Sequence, residues 1–245
     1  MSDWIKPDWP APVGIRTAVT TRDYTGASLP PWDHFNLGDR CGDDANHVTA
    51  NRAALIDRLE LPQAPNWLRQ VHGNQVVRPS AHSAHEIFEA DAAVTGDADV
   101  VLAILTADCL PVLFASRDGE RIGAAHAGWR GLAAGVLEAT VAAMGDSPDQ
   151  IIAWLGPAIG AKSYEIGAEV RDTFITHDRS AEVAFTESRP GHWFCDLYAL
   201  ATQRLHACGV REIYGGGLDT RNDERFYSYR REPRTGRFAS LIWRS

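Results

Sequence analysis

Ala107-Asp108-Cys109-Leu110-Pro111-Val112-Leu113-Phe114-Ala115-Ser116-Arg117-Asp118-Gly119-Glu120-Arg121-Ile122-Gly123-Ala124-Ala125-His126 is the stretch whose reading decides the fold. Residues 110–115 and 121–125 are apolar runs of strand length. Arg117-Asp118-Gly119-Glu120 between them is a hairpin turn signal. With Asp118-Gly119 as the two-residue loop, Arg117 faces Glu120. Counting back along both strands then sets His126 opposite Pro111. Cys109 lies two residues before Pro111 and so shares its face. Cys109 and His126 become diagonal neighbours with backbones about 7–8 Å apart, close enough for their side chains to converge. A bulge in either strand would upset this parity.

Working outward, residues 100–105 form a continuous apolar run suited to a buried strand. The spacing of Val48, Leu55, Ile56 and Leu59 predicts a helix over residues 47–61, with Asp43 and Asp44 at its positive end and Pro62 as its stop. A second helix is expected over residues 128–144, and a third from an Asp196 cap to Cys208, stopped by Gly209. Residues 226–230 and 237–243 read as a closing hairpin around Pro233-Arg234-Thr235-Gly236. Strands and helices do not alternate strictly, so the expected class is α+β, a layered architecture rather than a doubly wound sheet. With no repeat or flexible linker, residues 1–245 are expected to form a single domain.

The composition narrows the function. Hydrophobic residues make up 44% of the chain and charged residues 23%, as in ordinary globular proteins. A net charge of -8 argues against nucleic acid as a partner. No apolar run would span a bilayer, and the first dozen residues lack the apolar segment of a secretory signal. Cys41, Cys109, Cys195 and Cys208 include no C-x-x-C pair and read as thiols of a reducing compartment. A cytoplasmic protein with no membrane contact and no obligate protein partner is expected. Arg221, Arg225, Arg230, Arg231, Arg234, Arg237 and Arg244 crowd one segment, either a solvated hairpin or an anion-binding patch.

Two imidazoles and a thiolate would make a three-ligand set with an open fourth position, as catalytic zinc requires. His72, in Gln70-Val71-His72-Gly73, can supply the second imidazole, but its spacing from Cys109 and His126 is no metal motif. The residues alone leave the cluster open. The signatures of zinc metalloproteases, P-loops, nucleophile elbows and dinucleotide-binding turns are absent.

The ordered motifs go further. Phe35-Asn36-Leu37-Gly38, Asn51-Arg52, Gln70-Val71-His72-Gly73, Ala107-Asp108-Cys109-Leu110-Pro111-Val112 and His126-Ala127-Gly128-Trp129-Arg130-Gly131 are followed by Gly156-Pro157-Ala158-Ile159-Gly160, Tyr164-Glu165, Tyr227-Ser228-Tyr229-Arg230-Arg231 and Thr235-Gly236-Arg237. Over nearly its whole length the chain resembles the YfiH-like family, also called the laccase-domain, polyphenol oxidase or peptidoglycan editing factor family. The resemblance implies a mixed-sheet αββα-type sandwich related to the fold of cysteine-dependent toxins. It implies His72, Cys109 and His126 as zinc-binding catalytic residues. It also implies phosphorolysis of adenosine, inosine and methylthioadenosine and deamination of adenosine, with nucleoside and phosphate as the small-molecule partners. Asn36, Arg52, Gln70, Arg130 and Arg230 are the candidate substrate-binding residues. Asp108 is a candidate proton shuttle, but strand alternation turns it away from Cys109. Family members often carry cysteine where this chain has Ala158 and Leu218-Asp219, which weakens any role for extra thiols as ligands.

Three other readings compete. Copper polyphenol oxidation would suit the same ligands, but the chain has nine histidines without a His-x-His pair and only Met1 and Met144 as axial candidates. A metal-free hydrolase would use Cys109 as a nucleophile activated by His126 to edit a peptidoglycan precursor. A binding protein with structural zinc would need a fourth ligand, for which His34 and Cys41 are candidates.

Overall fold

The expected hairpin forms in the expected register. The structure, a computed structural model, describes residues 4–83 and 86–245. In chain order the elements are β1 (Ile15–Val19), α1 (Ala45–Leu59), β2 (Asn66–Trp67), β3 (Val76–Val77), β4 (Ala92–Thr95), β5 (Val101–Thr106), β6 (Leu110–Ser116) and β7 (Ile122–Ala127). They continue with α2 (Trp129–Ala133), α3 (Val136–Met144), β8 (Ile151–Leu155), β9 (Glu165–Gly167), α4 (Ala168–His177), β10 (Phe185–Arg189), β11 (His192–Cys195), α5 (Leu197–Ala207), β12 (Glu212–Gly215) and β13 (Phe238–Arg244). Strands β6 and β7 pair antiparallel with Pro111 opposite His126.

That hairpin lies at the centre of a six-stranded mixed sheet ordered β12-β8-β6-β7-β4-β3. A four-stranded sheet, ordered β1-β13-β5-β2, packs against it. Alternation along β6 explains the layers. Val112 and Phe114 face the helical side, packing with Leu132, Val136, Leu137, Val141, Leu200 and Leu205. Leu113 and Ala115 face the other sheet, packing with Leu102, Ile104, Phe238 and Ile242. The far face of the small sheet packs Val101, Ala103, Leu241 and Trp243 against Leu55 of α1. The order of layers is helix, sheet, sheet, helices, as the αββα expectation requires. Strand β6 is buried along its whole length because both faces are covered. A three-stranded sheet, β10-β11-β9, lies apart from these two.

The helix ends follow local chemistry. The Asp44 carboxylate accepts from the Asn46 N–H at the start of α1, and the Asp196 carboxylate accepts from the Ala199 N–H at the start of α5. Two expectations need correction. The helix expected over 128–144 divides into α2 and α3, because Gly135 adopts φ +87° and the chain cannot stay helical through it. Residues 226–230 are not a strand. Strand β13 pairs instead with β1 and β5, and Phe226 and Tyr227 are buried in the core between the sheets. No helix among the described residues is long and apolar enough to cross a membrane.

Candidate active site

His126 enters the site from the C-terminal end of strand β7, held from both sides. Pro111 of β6 stands opposite it, and the register of β4 with β7 sets Asp91 on its other flank. The His126 N–H donates to the Asp91 carbonyl at 2.7 Å, and its Nδ1 lies 2.8 Å from Asp91 Oδ1. Cys109 precedes β6 on the same edge. His72 comes from the loop between β2 and β3 and adopts φ +62°. The ligand atoms of His72, Cys109 and His126 all lie within 4.8 Å of one another, a group that could hold a metal ion. The His72 Nε2 lies 3.9 Å from Cys109 Sγ, and the two imidazole rings meet edge to face at 4.8 Å. No fourth His, Cys, Asp or Glu joins the group among the described residues. The Cys41 thiol instead points at the Gly38 carbonyl, 3.2 Å away.

Two glycines explain the run from His126 to Gly131. A Cβ on Gly128 would come within 2.9 Å of Cys109 Sγ and 3.0 Å of His72 Cδ2, and one on Gly131 within 2.8 Å of the Gly73 carbonyl. Helix α2 can approach the His72 loop only because both are glycine.

Electrostatics couple the three groups. Burial disfavours a thiolate at Cys109, but His126 and His72 outweigh it and bring the thiol down to about 6. Burial disfavours an imidazolium at His126, but Cys109 and Asp91 carry it up to about 9. Burial also disfavours the Asp91 carboxylate, yet the bonds from His126 and from the Gly73 and His72 N–H groups hold its pKa below the ordinary range. A thiolate beside an imidazolium is the metal-free form of such a site, and a divalent cation would displace the imidazolium proton.

The cluster opens on a cavity of about 500 Å³. Of the candidate substrate-binding residues, Gln70, Arg130 and Arg230 line it. The Gln70 amide bonds both to the N–H and to the carbonyl of Leu105. Arg130 stacks on Trp129 at 4.4 Å, and Arg230 lies over Tyr164 at 4.9 Å. Asn36 and Arg52 do not line the cavity. The Asn36 amide is buried, donating to the Gly38 carbonyl and to Asp43 and accepting from the Gly38 and Arg237 N–H groups. Arg52 stacks on Trp67 and donates to the Leu37 carbonyl. Both support the cavity-lining loop at residues 38–41 from behind.

The Asp108 carboxylate accepts from Thr220 Oγ1 and the Arg230 N–H, each at 2.7 Å. The arginine-rich segment is dispersed. Arg225 pairs with Asp223 and Arg244 with Glu120, Arg231 caps backbone carbonyls, and Arg230 and Arg237 line the cavity. Sequence reasoning missed Asp91, whose signal was a lone acid opening the apolar run of β4, and the aromatic wall of Tyr164 and Tyr229. At Ala158 the backbone bridges to Asp219, whose carboxylate binds the Gly160 N–H and Ser163.

The chain is 52% identical over 246 residues to a Xylella fastidiosa (strain Temecula1) protein named purine nucleoside phosphorylase, covering 96% of this chain and 95% of that one. It is 48% identical over 244 residues to the Escherichia coli (strain K12) protein named purine nucleoside phosphorylase YfiH, covering 99% of each. Its fold superposes on Neisseria meningitidis protein NMB0706 with a TM-score of 0.95 at 43% identity, covering 100% of both chains. It superposes on YlmD from Geobacillus stearothermophilus with a TM-score of 0.90 at 29% identity, covering 99% of this chain and 96% of that one. Residues 16–245 also match the family described as multi-copper polyphenol oxidoreductase laccase, and it is to this family, which includes the YfiH proteins, that the chain belongs.

Proposed function

We propose that this chain is a cytoplasmic, zinc-dependent purine nucleoside phosphorylase that acts on adenosine, inosine and methylthioadenosine and also deaminates adenosine. The observation that carries the reading is one cavity holding both the His72–Cys109–His126 group and the Arg130 and Arg230 guanidinium groups. Those guanidinium groups stack on aromatic rings rather than pairing with carboxylates among the described residues. The names of the relatives supply the purine nucleoside.

The donor set fits zinc. Asp91 occupies His126 Nδ1 and leaves the other ring nitrogen for a metal, and His72 Nε2 lies beside the Cys109 sulfur. When bound there, zinc would supply Lewis acidity. Copper fits less well, because Met144 is buried in the helical core and cannot serve as its axial ligand; Met1 lies outside the described residues. In phosphorolysis a phosphate oxygen forms a bond to the sugar C1′ while the C1′–N bond breaks and the base departs with the electron pair. Arg130 and Arg230 would hold the phosphate, and Trp129 and Tyr229 offer aromatic faces to the purine. Small-molecule partners suffice for this chemistry. The four free cysteines suit a reducing cytoplasm.

Incubating the purified protein with adenosine, with and without phosphate, tests the reading. Adenine and ribose 1-phosphate released only with phosphate are expected, with slower formation of inosine and ammonia. Formation of neither set of products by the zinc-loaded protein would refute the reading. A second reading, supported by the lowered Cys109 pKa, is a metal-free cysteine hydrolase acting on a peptidoglycan precursor. Equal alkylation of Cys109 with and without chelator, and no copurifying metal, would favour it.

A further inference from the structure

Asp91 is fully buried, yet its carboxylate meets four hydrogen-bonding groups. The N–H groups of Val71, His72 and Gly73 all donate to it, at 3.2, 2.9 and 2.7 Å. The fourth is His126 Nδ1, at 2.8 Å. Three consecutive N–H groups converging on one anion form a backbone nest, which requires a residue in a left-handed conformation. His72 is that residue, a non-glycine at φ +62°. Asp91 therefore fastens the backbone that carries one imidazole and orients the ring of the other. Its backbone adds a further hold, since the His126 N–H donates to the Asp91 carbonyl.

We infer that Asp91 is the positioning residue of the site, one carboxylate that sets the His72 loop and the His126 tautomer together. This inference rests on the reading of His72, Cys109 and His126 as metal ligands, but its geometry can be tested without metal. An acceptor-only group is needed at each carboxylate oxygen. Oδ1 meets the His72 N–H and His126 Nδ1, and Oδ2 meets the Val71 and Gly73 N–H groups. Asparagine can satisfy only one side. With its NH₂ at the Oδ2 position it opposes two backbone donors and loosens the His72 loop. With its NH₂ at the Oδ1 position it donates to His126 Nδ1, driving the ring proton onto the nitrogen that must bind metal.

Two measurements test this. The first is the ¹⁵N spectrum of the histidine rings in the metal-free wild type, followed upward in pH until the His126 ring has lost its second proton. A proton on Nδ1 of His126 is expected, and a proton on Nε2 would overturn the inference. The second is zinc affinity by chelator competition for wild type, Asp91→Asn and Asp91→Glu. Asp91→Asn is expected to bind zinc about 10–100-fold more weakly, with Asp91→Glu recovering part of the loss. A folded Asp91→Asn protein that binds zinc within about twofold of wild type would overturn the inference. Failure of the wild type itself to bind zinc would refute the metal reading, and the ring spectrum would still decide the role of Asp91.

Discussion

Gly128 has no side chain, and the site depends on that. Its φ of -63° is one alanine adopts freely, so Gly128→Ala adds only a methyl group aimed at Cys109 Sγ and His72. Zinc affinity measured by chelator competition should fall by roughly tenfold or more, while the melting temperature changes little. Cys109 gives a second prediction. In chelator-treated protein its thiolate should appear as pH rises through about 6, well below the ordinary thiol range. Its rate of alkylation by iodoacetamide should therefore level off above roughly pH 7. His126→Ala removes the largest of the lowering influences and should move the midpoint upward. The Cys109–His126 pairing was legible in the sequence because the loop that forms, residues 117–120 closed by the Ser116 N–H on the Arg121 carbonyl, keeps the same pairing parity as the expected two-residue loop, and the register runs unbroken back to the site. The position of His72 was not legible, because it depends on a left-handed residue held by a carboxylate nearly twenty positions away.

At the scale of elements, apolar spacing located α1 and α5, whose ends are marked by Asp44, Pro62, Asp196 and Gly209. It failed at the α2–α3 break because Leu132, Val136, Leu137 and Val141 keep one apolar face across Gly135. The break rests on backbone conformation, which spacing does not report. A Cβ at Gly135 would meet only the Glu138 side chain, at an ordinary distance of 3.7 Å, so Gly135→Ala isolates the cost of the left-handed conformation. Urea unfolding should show a loss of about 1 kcal/mol. Residues 226–230 misled for a different reason. Phe226 and Tyr227 look like strand residues and are buried, but the backbone there serves the cavity, with the Arg230 N–H on Asp108.

For the whole molecule, the layers are interleaved along the sequence. The small sheet draws β1, β2, β5 and β13 from early, middle and late segments, and the large sheet takes β3, β4, β6, β7, β8 and β12. No cut in the chain separates one sheet from the other. We propose that residues 1–245 unfold as one domain, and expect thermal transitions followed by tryptophan fluorescence and by far-ultraviolet circular dichroism to coincide. Two separated transitions would refute a single domain.

The place of β13 between β1 and β5 has a consequence for biosynthesis. Strand β1 leaves the ribosome before the other described strands, but β13, the strand it pairs with among the described residues, is made more than two hundred residues later. At ordinary translation rates β1 waits roughly ten to forty seconds with only the Ile5–Val19 bridge on its backbone. Strand β5 is likewise bare on one side until β13 arrives. The nascent chain therefore carries one open strand edge from β1 onward and a second from β5 onward, both until β13 is made, and a holdase chaperone would protect it most while both are exposed.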